Sequence, residues 1–186
     1  AGIRPARLDM RRFWHSSLLG GLAARAAAQT AGLPMSERLF VVGVLADIGH
    51  LVLYQTVPEL AAGAAREAAA AEEALDAAER RVIGCDFAEI GAALMDRWQL
   101  PDRFAAAIGT QMMPRLGGAF AADAAALHIA RRIAEADAKA EASADTAASV
   151  APEAWSLVGL APEQLPAIRE EAELNLAAYL ALFFPR

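Results

Sequence analysis

A chain of 186 residues is long enough to bury one substantial core and short enough to form a single domain. Hydrophobic residues make up 56% of it, mostly alanine with leucine, and 17 basic against 23 acidic side chains leave a formal charge of -6. With no basic cluster, that balance argues against nucleic acid or an anionic membrane surface as a partner. The single cysteine, Cys85, excludes an internal disulfide and a thiolate metal cluster.

Residues 1–12 carry four arginines and no apolar stretch of signal-peptide length. No apolar run is expected to reach the length of a membrane span, so the chain reads as soluble, and the lone cysteine suits a reducing cytoplasm. Phe13, Leu18, Leu22 and Ala26 recur at helical spacing, which predicts a helix over residues 8–30 that stops before Gly32-Leu33-Pro34. Ser36 offers an N-cap for a helix over 36–54, with Leu39, Phe40, Val44 and Leu51 facing inward. A third helix, rich in alanine, is expected from Pro58 through residue 81 and is stopped by Gly84. Asp86 and Glu89 have the spacing of a capping box for a helix ending near Trp98. Pro101 opens a helix over 101–111. A turn at Pro114 and Gly117-Gly118 precedes a helix over 119–135.

Residues 136–150 lose apolar periodicity and are expected to form a flexible surface loop, with helix only at its start. A short helical turn over 152–157 follows. Pro162 or Pro166 then opens a last helix carrying Leu174, Leu176, Tyr179, Leu180, Phe183 and Phe184. No alternating run rich in valine, isoleucine and threonine supports a sheet, so the fold class is all-α, a compact multi-helix bundle.

Four segments in order carry a further signal. They are Phe13-Trp14-His15-Ser16-Ser17-Leu18; Gly43-Val44-Leu45-Ala46-Asp47-Ile48-Gly49-His50; residues 79–98 with Glu79, Gly84, Asp86, Ala88-Glu89-Ile90-Gly91, Leu94 and then Leu100-Pro101; and Ala107-Ile108-Gly109-Thr110-Gln111-Met112-Met113-Pro114. The ordered set resembles the HDOD domains, HD-related output domains of bacterial signalling proteins. The resemblance implies one HD-like helical domain over 1–186, with a motif-bearing core over 12–135, a loop over 136–151 and a C-terminal helix over 162–184. It also implies that the family's amino-terminal subdomain is missing.

Position by position, the resemblance implies a degenerate metal site. Ser16 stands where a catalytic relative has its first histidine, and Ala46 replaces the histidine of the His-Asp pair, leaving Asp47. Phe87 replaces a histidine after Asp86, Gln111 and Met112 replace a histidine pair, and Arg131 stands where aspartate is usual. A hydrolytic metal needs several nitrogen or oxygen ligands and an open position for an activated water, which this set does not supply. No catalytic residue, metal or cofactor is therefore expected, and Trp14, Ser16, Asp47, Phe87, Gln111 and Met112 are expected to line a vestigial cleft.

Asp47 is expected to serve as a structural carboxylate bonded to a neighbour such as Ser16 or Gln111, because an unpaired buried carboxylate is costly. His15, His50 and His128 are read as surface or helix-end residues. Cys85 is read as a small loop or core residue, Trp14 and Trp98 as core anchors, and Arg80-Arg81 and Arg131-Arg132 as solvated pairs. Met112, Met113 and Phe104 are assigned by default to core packing.

The resulting expectation is a non-catalytic signalling module. It would bind a protein partner, or other domains of its parent chain, in a two-component or cyclic di-GMP setting, with homodimerisation through the Leu174–Phe184 face as a related mode. Two alternatives from other classes are a residual phosphohydrolase acting on a nucleotide or cyclic dinucleotide, and a small-molecule sensor using the emptied cleft.

Overall fold

The structure, a computed structural model, describes residues 8–140 and 142–183. Among these, eleven α-helices and two short 3-10 turns follow one another with no strand: α1 Met10–Thr30, α2 Ser36–Leu45, α3 Ile48–Thr56, α4 Pro58–Ala71, α5 Leu75–Ile83, α6 Phe87–Arg97, α7 Asp102–Thr110, α8 Ala121–Lys139, α9 Ser143–Ser149, α10 Pro152–Val158 and α11 Leu165–Phe183. The 3-10 turns, Pro114–Phe120 and Pro162–Gln164, lead into α8 and α11. The all-α expectation holds.

Helix α1 is the axis of the bundle. Asp9 caps its start by accepting from the Arg11 and Arg12 amides at 3.0 and 3.2 Å. Leu18, Leu19 and Leu22, with alanines 23, 24, 26, 27 and 28, are buried on nearly every side, because α2, α8 and α11 all pack against this helix. Small residues permit the approach: a Cβ on Gly43 would lie 2.7 Å from the Gly21 Cα where α2 crosses α1. Asp123 ties α2, α7 and α8 together, accepting two bonds from Arg38 at 3.0 and 3.1 Å with Arg103 at 3.4 Å.

The expected helix over 36–54 is two helices, broken at Ala46-Asp47. In an unbroken helix the Ala46 carbonyl would accept from the His50 amide. Instead that amide bonds to the Asp47 carbonyl at 3.0 Å, and the side-chain amide of Gln111 takes the Ala46 carbonyl at 2.9 Å. The break seats Gly49 against α6, where a Cβ would collide with the Phe87 carbonyl. It also corrects the expectation about apolar runs. Residues Ser36–Thr56 have a mean hydropathy of 1.6 and are long and apolar enough by composition to cross a membrane. As folded, the segment is two short helices with a charged residue between them.

The expected helix over 58–81 is likewise a hairpin. Glu72 adopts a left-handed conformation (φ 53°), and α5 turns back so that Ala64 and Ala68 pack on Ala78, with Leu75, Val82 and Ile83 alongside. The expected loop over 136–151 is also corrected. Helix α8 continues to Lys139, α9 follows, Thr146 is fully buried, and Val150 enters the core. Small polar side chains pack there without apolar periodicity: the Thr146 hydroxyl returns to the Ala142 carbonyl at 3.0 Å. Trp98, expected in the core, is 49% exposed at the end of α6, and the buried tryptophan is Trp155. In α11, Leu176 is buried and Tyr179 and Leu180 pack on the core, whereas Leu174 is exposed. The side chains of Phe183 and Phe184 lie outside the described residues.

Candidate functional site

The break between α2 and α3 aims Asp47 across a shallow crevice toward α8. Ser16 and Gly20 of α1, Gly43, Ala46, Asp47, Gln111, and Leu127, Ala130, Arg131 and Ala134 of α8 line it. The empty space between them is about 260 Å³, open solvent included. Ser16, Ala46, Asp47, Gln111 and Arg131 are therefore brought together as the resemblance implies. Trp14 and Met112 are not. Trp14 packs edge-on against Phe13 at 5.4 Å, and Met112 lies against the cluster formed by Leu53, Phe87 and Ala88.

Asp47 does not bond to Gln111 as expected. Its Oδ1 accepts from Arg131 Nη1 at 2.6 Å, and Arg131 Nε reaches Glu135 Oε1 at 2.8 Å, one helical turn on. Arg131 is thus the counter-ion of the motif aspartate and not part of a solvated pair; its side chain is only 11% exposed. Gln111 is fully buried and spends its amide on the Ala46 and Ile108 carbonyls, so its role is to hold the helix break.

Phe87 lies beneath this ion pair, fully buried at the start of α6. The Arg131 guanidinium sits 4.3 Å from its ring centroid and the His50 ring stacks at 4.2 Å and 14°. Two planar groups that close cannot share one face, so the phenyl ring is sandwiched between them, with a cation–π contact on the arginine side. His50 Nδ1 lies 3.0 Å from Glu79 Oε1, and Glu79 Oε2 accepts the Phe87 amide at 3.0 Å. Glu79 is 2% exposed and His50 12%, so His50 is a member of the site and not the surface residue expected. Asp86 then caps α6 in a complete capping box with Glu89 and pairs with Arg80. Burial raises the Asp86 carboxyl pKa, against bonds from Glu89 and the charge of Arg80. It raises the Cys85 thiol as well, with Glu89, Asp86 and Glu79 adding to the effect, which disfavours the nucleophilic thiolate.

His128, expected near the surface, is 2% exposed. Its Nδ1 faces the Gln111 carbonyl at 2.8 Å and its Nε2 accepts the Ala151 amide at 3.2 Å, so the ring is the neutral Nδ1–H tautomer. Burial lowers its pKa below the ordinary 6.5. The folded state therefore binds fewer protons here than the unfolded chain. The stabilisation is complete above that ordinary value and is lost as pH falls below it toward the folded pKa. Thermal melts of the wild type and His128→Gln are expected to show this: Tm falls between pH 7.5 and 5.5 in the wild type and falls less in the variant. Equal falls in both would remove His128 as the acid-sensitive group. His15, as expected, is partly exposed, 3.7 Å from Asp137.

The donor set does not suit a hydrolytic metal. Asp47 already faces a cation, Gln111 is turned to backbone carbonyls, and Phe87 offers only a ring face. Sequence reading missed Glu79, His50 and Glu135 as members of this network. Only the Arg131–Glu135 spacing of four signalled a contact.

A family model for the HDOD domain matches residues 2–114, more than half the chain, and the chain belongs to that family. It is a signalling-associated, HD-related domain. No curated protein matches it in sequence. Among solved structures it resembles an HDOD domain protein from Geobacter sulfurreducens (TM-score 0.76, 16% identity, 97% of this chain and 65% of that one). It also resembles the MmoQ response regulator of Methylococcus capsulatus (TM-score 0.60, 26% identity, 87% and 61%). A Shewanella amazonensis protein provisionally described as a phosphohydrolase is similar too (TM-score 0.72, 23% identity, 94% and 63%). The chain spans less than two thirds of the length of each.

Proposed function

We propose that this chain is a non-catalytic signalling module of the cytoplasm that acts by contact with a protein partner or with other domains of its parent chain. One observation carries the reading: Arg131 pairs at 2.6 Å with Asp47, the residue left of the family's metal-binding pair, so a side-chain cation stands where a ligand set would hold a metal. An output role in two-component signalling is supported by the likeness to a response regulator at 26% identity. At about 260 Å³ with open solvent counted, the crevice is smaller than the clefts that usually take a nucleotide or another small-molecule ligand.

The test is divalent metal per chain, measured by elemental analysis after purification without chelators or metal-affinity resin. We expect far less than one equivalent, also after incubation with manganese, iron or zinc. Near-stoichiometric metal that disappears in Asp47→Ala would overturn the reading and favour a residual phosphohydrolase.

A further inference from the structure

His128 is a buried titratable group outside the crevice, and it sits where α7, α8 and the joint between α9 and α10 meet. Its Nδ1 donates to the Gln111 carbonyl just past α7 at 2.8 Å, and its Nε2 accepts the Ala151 amide at that joint. The segment around the joint is interior: Thr146, Val150, Trp155 and Val158 are all buried. The acceptor for the Ala151 amide is thus a group that can take up a proton.

We infer that His128 is an acid-released tether: neutral, it holds the α9–α10 joint against α8, and on protonation it lets that joint open. Protonation leaves the Nδ1–H in place and turns Nε2 from acceptor to donor, so an N–H then faces the Ala151 N–H. The bond to Gln111 survives and the bond to the joint does not. The charge cannot settle in place, because burial opposes it, as do Arg132 and Arg131, with the Gln111 carbonyl and Glu135 acting the other way. Charged groups on the elements packed against α8 are engaged elsewhere. Arg38 of α2 and Arg103 of α7 meet Asp123, while His15 and Arg25 of α1 meet Asp137 and Glu37. Arg115, in the turn before α8, meets Glu153 of α10, and Asp145 of α9 is exposed. Opening returns the ring to water and to its ordinary 6.5, so the open state binds the proton that the closed state refuses. Opening is therefore independent of pH above 6.5 and grows below it, by up to about tenfold per pH unit for one proton.

The experiment is amide hydrogen exchange on the whole chain between pH 7.5 and 5.5, read by mass spectrometry and corrected for intrinsic rates, in the wild type and His128→Gln. Glutamine keeps an acceptor in place of Nε2 and does not titrate. The expected result is more frequent opening over residues 146–158 as pH falls in the wild type, by up to about tenfold per unit. Helix α1 should show no such change, and His128→Gln none at the joint. Nitrogen NMR shifts of the wild-type imidazole need no variant and are expected to show the Nδ1–H tautomer at pH 7.5. Opening that ignores pH, an equal loss of protection in α1, a loss that persists in His128→Gln, or an Nε2–H ring at pH 7.5 would overturn the tether.

Discussion

Glu79→Ala is expected to destabilise the domain by about 3 kcal/mol, the upper range for removing a buried acceptor that serves two neighbours. Glu79 is 2% exposed and serves two neighbours, His50 through Oε1 and the Phe87 amide through Oε2, both at 3.0 Å. Its removal leaves that amide, at the first turn of α6, without its acceptor, and frees the His50 ring that stacks on Phe87. For a chain of this size the loss corresponds to a fall in Tm of about 6–12 °C. Glu79→Gln keeps an acceptor for Phe87 and should cost about 1 kcal/mol. Denaturant unfolding separates the two, and a loss in Glu79→Ala no larger than in Glu79→Gln would mean that the acceptor kept for the Phe87 amide contributes nothing.

The second large effect belongs to the Asp47–Arg131 pair. Asp47→Ala leaves a guanidinium only 11% exposed with Glu135 as its remaining carboxylate, and Arg131→Met leaves Asp47 without its cation. Each is expected to cost about 2 kcal/mol, less than for a fully buried pair because Asp47 is 27% exposed. The double variant should cost less than the sum by about 1 kcal/mol or more, the coupling expected of groups in direct contact. Strict additivity in that cycle would show that the two side chains do not sense one another. Divalent-cation content measured on the same variants links the cycle to function: Arg131→Met removes the resident positive charge, and Asp47→Ala removes the carboxylate.

Helix starts and stops that depend on neighbours in sequence were legible, as with the Asp86–Glu89 capping box, the stop at Gly84 and the proline-led starts of α4 and α10. Breaks that depend on distant partners were not. Nothing near Ala46 announces that Gln111, 65 residues on, will take its carbonyl and end α2. The alanine run over 58–81 reads as one helix because alanine is equally content in a continuous helix or a folded hairpin. What separates them is the packing of Ala64 and Ala68 on Ala78. Ser16, Ala46, Asp47, Gln111 and Arg131 were legible as neighbours through the family resemblance, whereas Trp14, Phe87 and Met112, read into the same cleft, do not line it. The chemistry of those five was not, since Arg131 looks like an ordinary charged position until α8 carries it to Asp47, 84 residues away in sequence.

The α4–α5 hairpin, whose buried apolar residues are all alanine, has a consequence for how the domain breathes. Each alanine removes little apolar surface from water, so the hairpin has less holding it closed than the leucine-lined interior around α1. Such segments are the first to open in local fluctuations, well below the free energy of global unfolding. Glu79 belongs to this hairpin and also grips His50 and the start of α6. Each local opening that carries α5 outward withdraws that carboxylate from His50 and Phe87, so amide-exchange protection at the start of α6 is coupled to that of α5, and the hairpin sets how long the Phe87 stack stays assembled.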